Sequence, residues 1–156
     1  MSSELSTVIL DANLLVRAAR GEAQEGRWDK VMSLCEEALS FEAGHRDAWL
    51  LLANAQLASK QWENVLGTVE MAARHCHADA GLAVARGEAL RQLQRHEEAL
   101  DAFEEASLLD PDNARYWLER ARELTVLGFE DEARECASRA AELNFDDKGF
   151  ADERPT

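Results

Sequence analysis

The sequence predicts an all-α fold of four antiparallel helix hairpins, eight helices stacked in one domain. Three observations carry that prediction. A 34-residue frame slides along the chain without insertion or deletion, giving 12–45, 46–79, 80–113 and 114–147. Periods of this length mark repeat arrays, in which each unit buries its apolar face against its neighbours. Small residues also recur at fixed places: position eight reads Ala19, Ala53, Gly87 and Ala121, and position twenty-seven reads Ala38, Ala72, Ala106 and Ala140. Finally, each copy holds two apolar-periodic segments of helical spacing with a polar or glycine break between them.

The frame places the helices over 12–25, 28–41, 46–59, 62–75, 80–93, 96–109, 114–127 and 130–143. Residues 1–11 read as an N-terminal extension of the first helix, which is expected to begin near Ser6. Gly26, Gly44 and Gly128 fall at turns, and Asp110-Pro111 ends a helix by fixing φ and removing a donor. Position twenty reads Val31, Val65, Ala99 and Ala133, a second small site where paired helices approach. Position twenty-one runs Met32, Leu66, Leu100 and then Arg134. Position twenty-four runs Cys35, Val69, Phe103 and then Ala137. The apolar face of the second helices thus turns small and charged in the last copy, which predicts that repeat four is the C-terminal edge. The single domain spans 12–147, and 148–156 is expected to be a flexible tail, with Phe145 or Phe150 packing back on the end.

At 156 residues the chain suffices for one domain with a real core. Apolar residues at 46% and charged ones at 31% are a globular mix. The net charge of −14 opposes binding to nucleic acid or an anionic membrane surface. Cys35, Cys76 and Cys136 are odd in number and lack paired spacing, so free thiols in a reducing compartment are expected. The N-terminus has no basic leader region, and its apolar stretch is broken by Asp11 and Asn13. No run reaches the ~18 apolar residues that a membrane crossing needs. The expected location is cytoplasmic, and the Ala/Glu/Arg-rich composition points to a bacterium.

Catalytic chemistry is not legible. His75-Cys76-His77 offers adjacent ligands that cannot converge on one tetrahedral site, and no second cluster follows at zinc-like spacing. Cys35 and Cys136 sit at apolar positions of second helices, where a cysteine behaves as a small hydrophobe. Pairs such as Glu36-Glu37, Glu97-Glu98 and Glu104-Glu105 belong to solvated outer faces. Neither a phosphate loop nor a nucleophile–base arrangement is present, so a non-enzyme without cofactor is expected.

The segment Ala80–Asn113, AGLAVARGEALRQLQRHEEALDAFEEASLLDPDN, resembles a tetratricopeptide repeat (TPR). Gly87, Ala99, Phe103, Ala106 and Pro111 stand where that family keeps its Gly, first Ala, aromatic, second Ala and Pro. Position four (Leu15, Trp49, Ala83, Trp117) and position seventeen (Trp28, Trp62, His96, Glu130) assign the tryptophans to helix packing. Departures are Glu22 and Gln56 at position eleven, Arg86 and Arg120 at position seven, and Ala43, His77 and Phe145 where only Pro111 keeps the proline. The resemblance implies a right-handed superhelix whose first helices line a concave groove for extended or helical peptides.

Projected onto this chain, the groove positions hold five arginines (Arg17, Arg20, Arg91, Arg115, Arg122) against three acids (Asp47, Glu88, Glu119). An apolar floor of Leu50, Leu51, Leu57, Val84, Ala85 and Leu118 lies among them. Arg17, Arg20, Leu50, Leu51, Asn54, Val84, Glu88, Arg91, Leu118 and Arg122 are the candidate binding residues. Guanidinium groups beside apolar pockets suit a peptide carrying carboxylates and spaced hydrophobic anchors. The carboxylate clamp that the family uses for heat-shock chaperone tails is not matched, since only Asn54 occupies a clamp-type position.

The leading expectation is an adaptor or scaffold that binds a protein partner, without nucleic acid or membrane insertion. One alternative is a bacterial type III secretion-type chaperone; size, a pI near 4.6 and the partly apolar groove fit it. Against it, repeat one starts at Ala12 and leaves no long dimerising helix before it. The other is a self-assembling structural protein, a homo-oligomer joined through Val8-Ile9-Leu10 and the end near Phe145.

Overall fold

The computed structural model describes the backbone of residues 11–152 and the side chains of residues 11–144. Among them the chain forms eight α-helices and no strand: α1 (Ala12–Gln24), α2 (Trp28–Phe41), α3 (Arg46–Ala58), α4 (Trp62–His75), α5 (Ala80–Gln92), α6 (His96–Leu109), α7 (Ala114–Val126) and α8 (Glu130–Asp152). Each helix packs on the next, and the first helices also meet directly, α1 on α3 and α3 on α5.

Frame position thirty-four, or the residue just before the first copy, starts every first helix. Asp11 and Asp79 accept the backbone N–H of Leu14 and Leu82, His45 accepts that of Ala48, and Asn113 accepts that of Arg115. These side chains satisfy N–H groups that a helix start leaves without partners. Asp11 is extended, so α1 begins at Ala12 and not near Ser6; the rest of the expected 1–11 extension, Val8-Ile9-Leu10 included, lies outside the described residues.

Position fifteen ends every first helix. Gly26, Lys60, Gln94 and Gly128 all take positive φ, between 59° and 86°. The N–H after each reaches back to close the turn: Arg27 to the Glu22 carbonyl, Gln61 to Gln56, Arg95 to Leu90 and Phe129 to Leu124. This is the Schellman arrangement, which satisfies the last helical carbonyls. It repeats in four turns of different sequence.

The core is a line of linked clusters threaded along the stack. Val31, Cys35, Trp49, Ala53, Val65 and Ala72 anchor the N-terminal half. Leu90, Ala99, Phe103 and Ala106 fill the third hairpin, and Ala121, Leu124, Ala133 and Cys136 the fourth. All four position-twenty-seven alanines are fully buried. Helix α8 runs past its expected end at 143 to Asp152, continuing through much of the stretch expected as tail. Residues 153–156 and the side chains of Phe145 and Phe150 lie outside the described residues.

Candidate functional site

The first helices carry a row of ion pairs between consecutive repeats. Arg20 on α1 donates to Asp47 on α3 at 2.8 Å. Arg46 joins the same carboxylate at 3.2 Å and reaches Asp79, the cap of α5, at 2.7 Å. Asp47 is drier than in water, which alone would raise its pKa; the Arg46 and Arg20 guanidinium groups outweigh that and hold it below its ordinary value. Between α5 and α7 the link recurs, with Arg115 donating to Glu88 at 3.1 Å. Both pairs join position nine of one repeat to position two of the next, with the charges exchanged. Glu88 titrates above its ordinary value because desolvation outweighs the nearby arginines.

The middle link of this row is neutral. Its two positions are Asn54, exposed on α3, and Gly81 at the start of α5. A Cβ at Gly81 would stand 3.0 Å from a Leu50 methyl, so the leucine lies directly across the glycine. Charged flanks therefore bracket a gap of amide and apolar groups.

Deeper between α5 and α7, Arg91 donates to Glu119 at 2.6 Å and to Glu123, whose side chain is 1% exposed. His96 Nδ1 meets Glu123 at 2.8 Å, and Arg122 donates to Glu119 at 3.1 Å. The Arg91 guanidinium carbon also stands 4.8 Å from the centre of the Phe103 ring. Every charge in this knot has a counter-charge, as burial demands.

These pairings change the reading of the sequence-predicted site. Four of the five groove arginines are already occupied by acids of the chain itself. Arg17 is exposed and has no ion pair among the described residues. Leu50 and Leu51 are half-buried, Asn54 is exposed, and Leu118 is 37% exposed. Val84 belongs to the packed interior at 7% exposure, as does Ala85 at 1%, because α5 is enclosed by α3 and α6. The apolar floor is thus smaller than expected. Glu123 and His96 escaped the groove positions altogether; their signal was a carboxylate 32 residues from Arg91 and 27 from the His96 ring.

The thiols are poor nucleophiles. Burial pushes Cys35 up to about 12, and desolvation also raises Cys76 and Cys136. Among the described residues no three His, Cys, Asp or Glu side chains are grouped to hold a metal ion. No described helix is long and apolar enough to cross a membrane.

Fold and surface together define a helical-repeat scaffold for protein contacts. Two sequence profiles described as tetratricopeptide repeat match residues 22–80 and 80–113, together more than half of the chain. The chain belongs to the tetratricopeptide repeat family. No curated protein sequence matches it. Among solved structures, a crystal structure of MamA superposes with a TM-score of 0.81 at 14% identity, over 88% of this chain and 81% of that one. MamA 41-end from Desulfovibrio magneticus RS-1 gives 0.74 at 20% identity, over 92% and 78%. At such identities the likeness is one of fold.

Proposed function

We propose that the protein is a non-enzymatic adaptor whose first-helix face holds a peptide or helical segment of a protein partner. The observation that carries this reading is the neutral gap at Asn54, Gly81 and Leu50 between two ion pairs of opposite orientation. Asn54 offers both a donor and an acceptor to a ligand main chain. Leu51 and Leu118 supply apolar contact on either side. Arg17 remains available for a ligand carboxylate, and exposed Arg122 can exchange its partner with little penalty. A ligand with an apolar centre and an acidic flank suits this arrangement, and few unpaired cations are needed to orient it.

The test is partner capture from the native lysate with wild type, with Arg17→Glu/Asn54→Arg, and with Glu97→Lys/Asp101→Lys on exposed positions of α6. Circular dichroism first establishes that each variant is folded. Loss of a partner from the first variant alone supports the groove. Retention by the first and loss from the α6 variant would move binding to the second helices. Arg91 is left untouched, because its removal would strand buried carboxylates and confuse unfolding with lost affinity.

A further inference from the structure

In repeat four, the Trp117 indole Nε1 donates to the Pro111 carbonyl at 2.7 Å. Its ring packs on the α7–α8 core beside Leu100 of α6. The Arg120 guanidinium carbon lies 5.4 Å from the ring centre, and Arg120 pairs with Glu104 at 3.1 Å. Trp49 makes the same bond to the Ala43 carbonyl, also at 2.7 Å. Both acceptors stand at frame position thirty-two of the preceding copy.

Repeat three keeps these surroundings and omits the ring. Ala83 takes the place of the tryptophan and lines a cleft of about 610 Å³ among α4, α5 and α6. That volume falls within the ~300–1,000 Å³ usual for ligand sites. Leu66, Glu70 and Arg86 line it at the frame positions of Leu100, Glu104 and Arg120, and His77 supplies position thirty-two. Among the described residues the His77 carbonyl accepts no hydrogen bond and Arg86 has no ion pair, while Glu70 is held by Arg74.

We infer that this cleft is an indole site, filled by a tryptophan side chain of a partner protein. The ring lies over Ala83, its N–H donates to the His77 carbonyl, and Arg86 covers its face as Arg120 covers Trp117. A cation above an aromatic face and a buried N–H with an acceptor are the two features by which an indole is preferred to an aliphatic group. The site lies on the second-helix side and does not depend on the groove proposed above.

The test titrates N-acetyl-tryptophanamide into the ¹⁵N-labelled protein, alongside its 1-methyl-indole analogue and N-acetyl-leucinamide. Saturable shifts centred on the amides of Val69, Ala83 and Arg86 are expected with the tryptophan probe. The methylated ring cannot donate and should bind roughly tenfold more weakly, the order of one hydrogen bond. Ala83→Trp, which fills the cleft from within, should abolish the shifts. If that variant fails to fold, the wild-type comparison of the three probes decides alone. Equal binding of the leucine or methylated probe, or no saturable shift at these amides, overturns the inference.

Discussion

Arg91 on α5 and Glu123 on α7 form an ion pair whose carboxylate is almost wholly withdrawn from water. Glu119 and His96 complete the knot, so one guanidinium bridges two acids between the third and fourth hairpins, with Arg122 supplying the second positive charge at Glu119. Removing a single partner leaves buried charge uncompensated. Arg91→Met should therefore lower stability by about 3 kcal/mol in urea unfolding. The triple change Arg91→Met/Glu119→Gln/Glu123→Gln should recover much of that, since neutral amides tolerate the site better than stranded carboxylates. A loss below about 1 kcal/mol in the single variant would mean that solvent enters the knot freely.

Glu88 supplies a pH signature. Its pKa is raised in the folded state, chiefly by desolvation, so the native protein holds this proton more tightly than the unfolded chain. Ionised Glu88 thus opposes folding above its folded pKa, and this penalty disappears as pH falls below the ordinary carboxylate value. Glu88→Gln should be the more stable protein at neutral pH, with the difference shrinking to nothing in the acid range. Paired unfolding curves across pH check it. A variant less stable at neutral pH would show that Arg115 contributes more than the burial costs.

Gly87 and Phe103 are shaped to one another. A Cβ at Gly87 would lie 2.7 Å from two carbons of the Phe103 ring, closer than any real contact. Alanine improves helix propensity by about 1 kcal/mol, yet the clash with a fully buried ring should outweigh it. Gly87→Ala is expected to destabilise by about 1–3 kcal/mol in chemical denaturation. The double variant Gly87→Ala/Phe103→Val installs the Ala53/Val69 combination of repeat two and should regain part of the loss. If the double variant is no better than the single one, the two positions are not coupled.

The architecture was legible because its signals repeat. Four copies of a small residue at position twenty-seven average out the local departures, and seven of the eight helices keep the start and end that the frame gives to within one residue of the structure. The α8 end was missed because the frame has no further copy to bound it, whereas the frame's own start for α1 at Ala12 holds and only the added extension toward Ser6 fails, because Asp11 was read as an interruption, not as a cap. The candidate site was legible only by position. Listing groove residues gave Arg20, Arg91 and Arg122 but not their occupation, since pairing depends on side chains about one repeat apart meeting in space. Val84 looked exposed by frame position and is buried, because α3 and α6 close over α5.

Position fifteen is a case where alignment of copies holds information that residue type hides. Gly26 and Gly128 announce their turns, whereas Lys60 and Gln94 adopt the same left-handed conformation without a glycine. A side chain there costs on the order of 1 kcal/mol in backbone strain. Part of that is offset by the extra freedom glycine gives the unfolded chain. Lys60→Gly and Gln94→Gly should each raise the thermal midpoint, and Gly128→Ala should lower it. A fall in midpoint for both glycine variants would show that the long side chains hold their turns by contacts stronger than the strain.

Gln56 and Thr68 show how a polar departure is absorbed in the second hairpin. Position eleven, apolar in Leu90 and Leu124, is here an amide at 7% exposure, and the Thr68 hydroxyl donates to it at 2.7 Å. The pair sits between α3 and α4 within the largest core cluster's neighbourhood, out of reach of bulk water. Thr68→Val removes the donor while keeping the shape, leaving the Gln56 carbonyl dry and unpartnered. The expected cost is about 1–3 kcal/mol, that of a buried acceptor without a bond. Gln56→Leu/Thr68→Ala reproduces the Leu90/Ala102 pairing of repeat three and should restore stability to near wild type, because removing both partners removes the desolvation penalty with them. Were the double variant as unstable as Thr68→Val, the hydrogen bond would be contributing net stability of its own, and the second hairpin would depend on that polar contact where the third relies on packing alone.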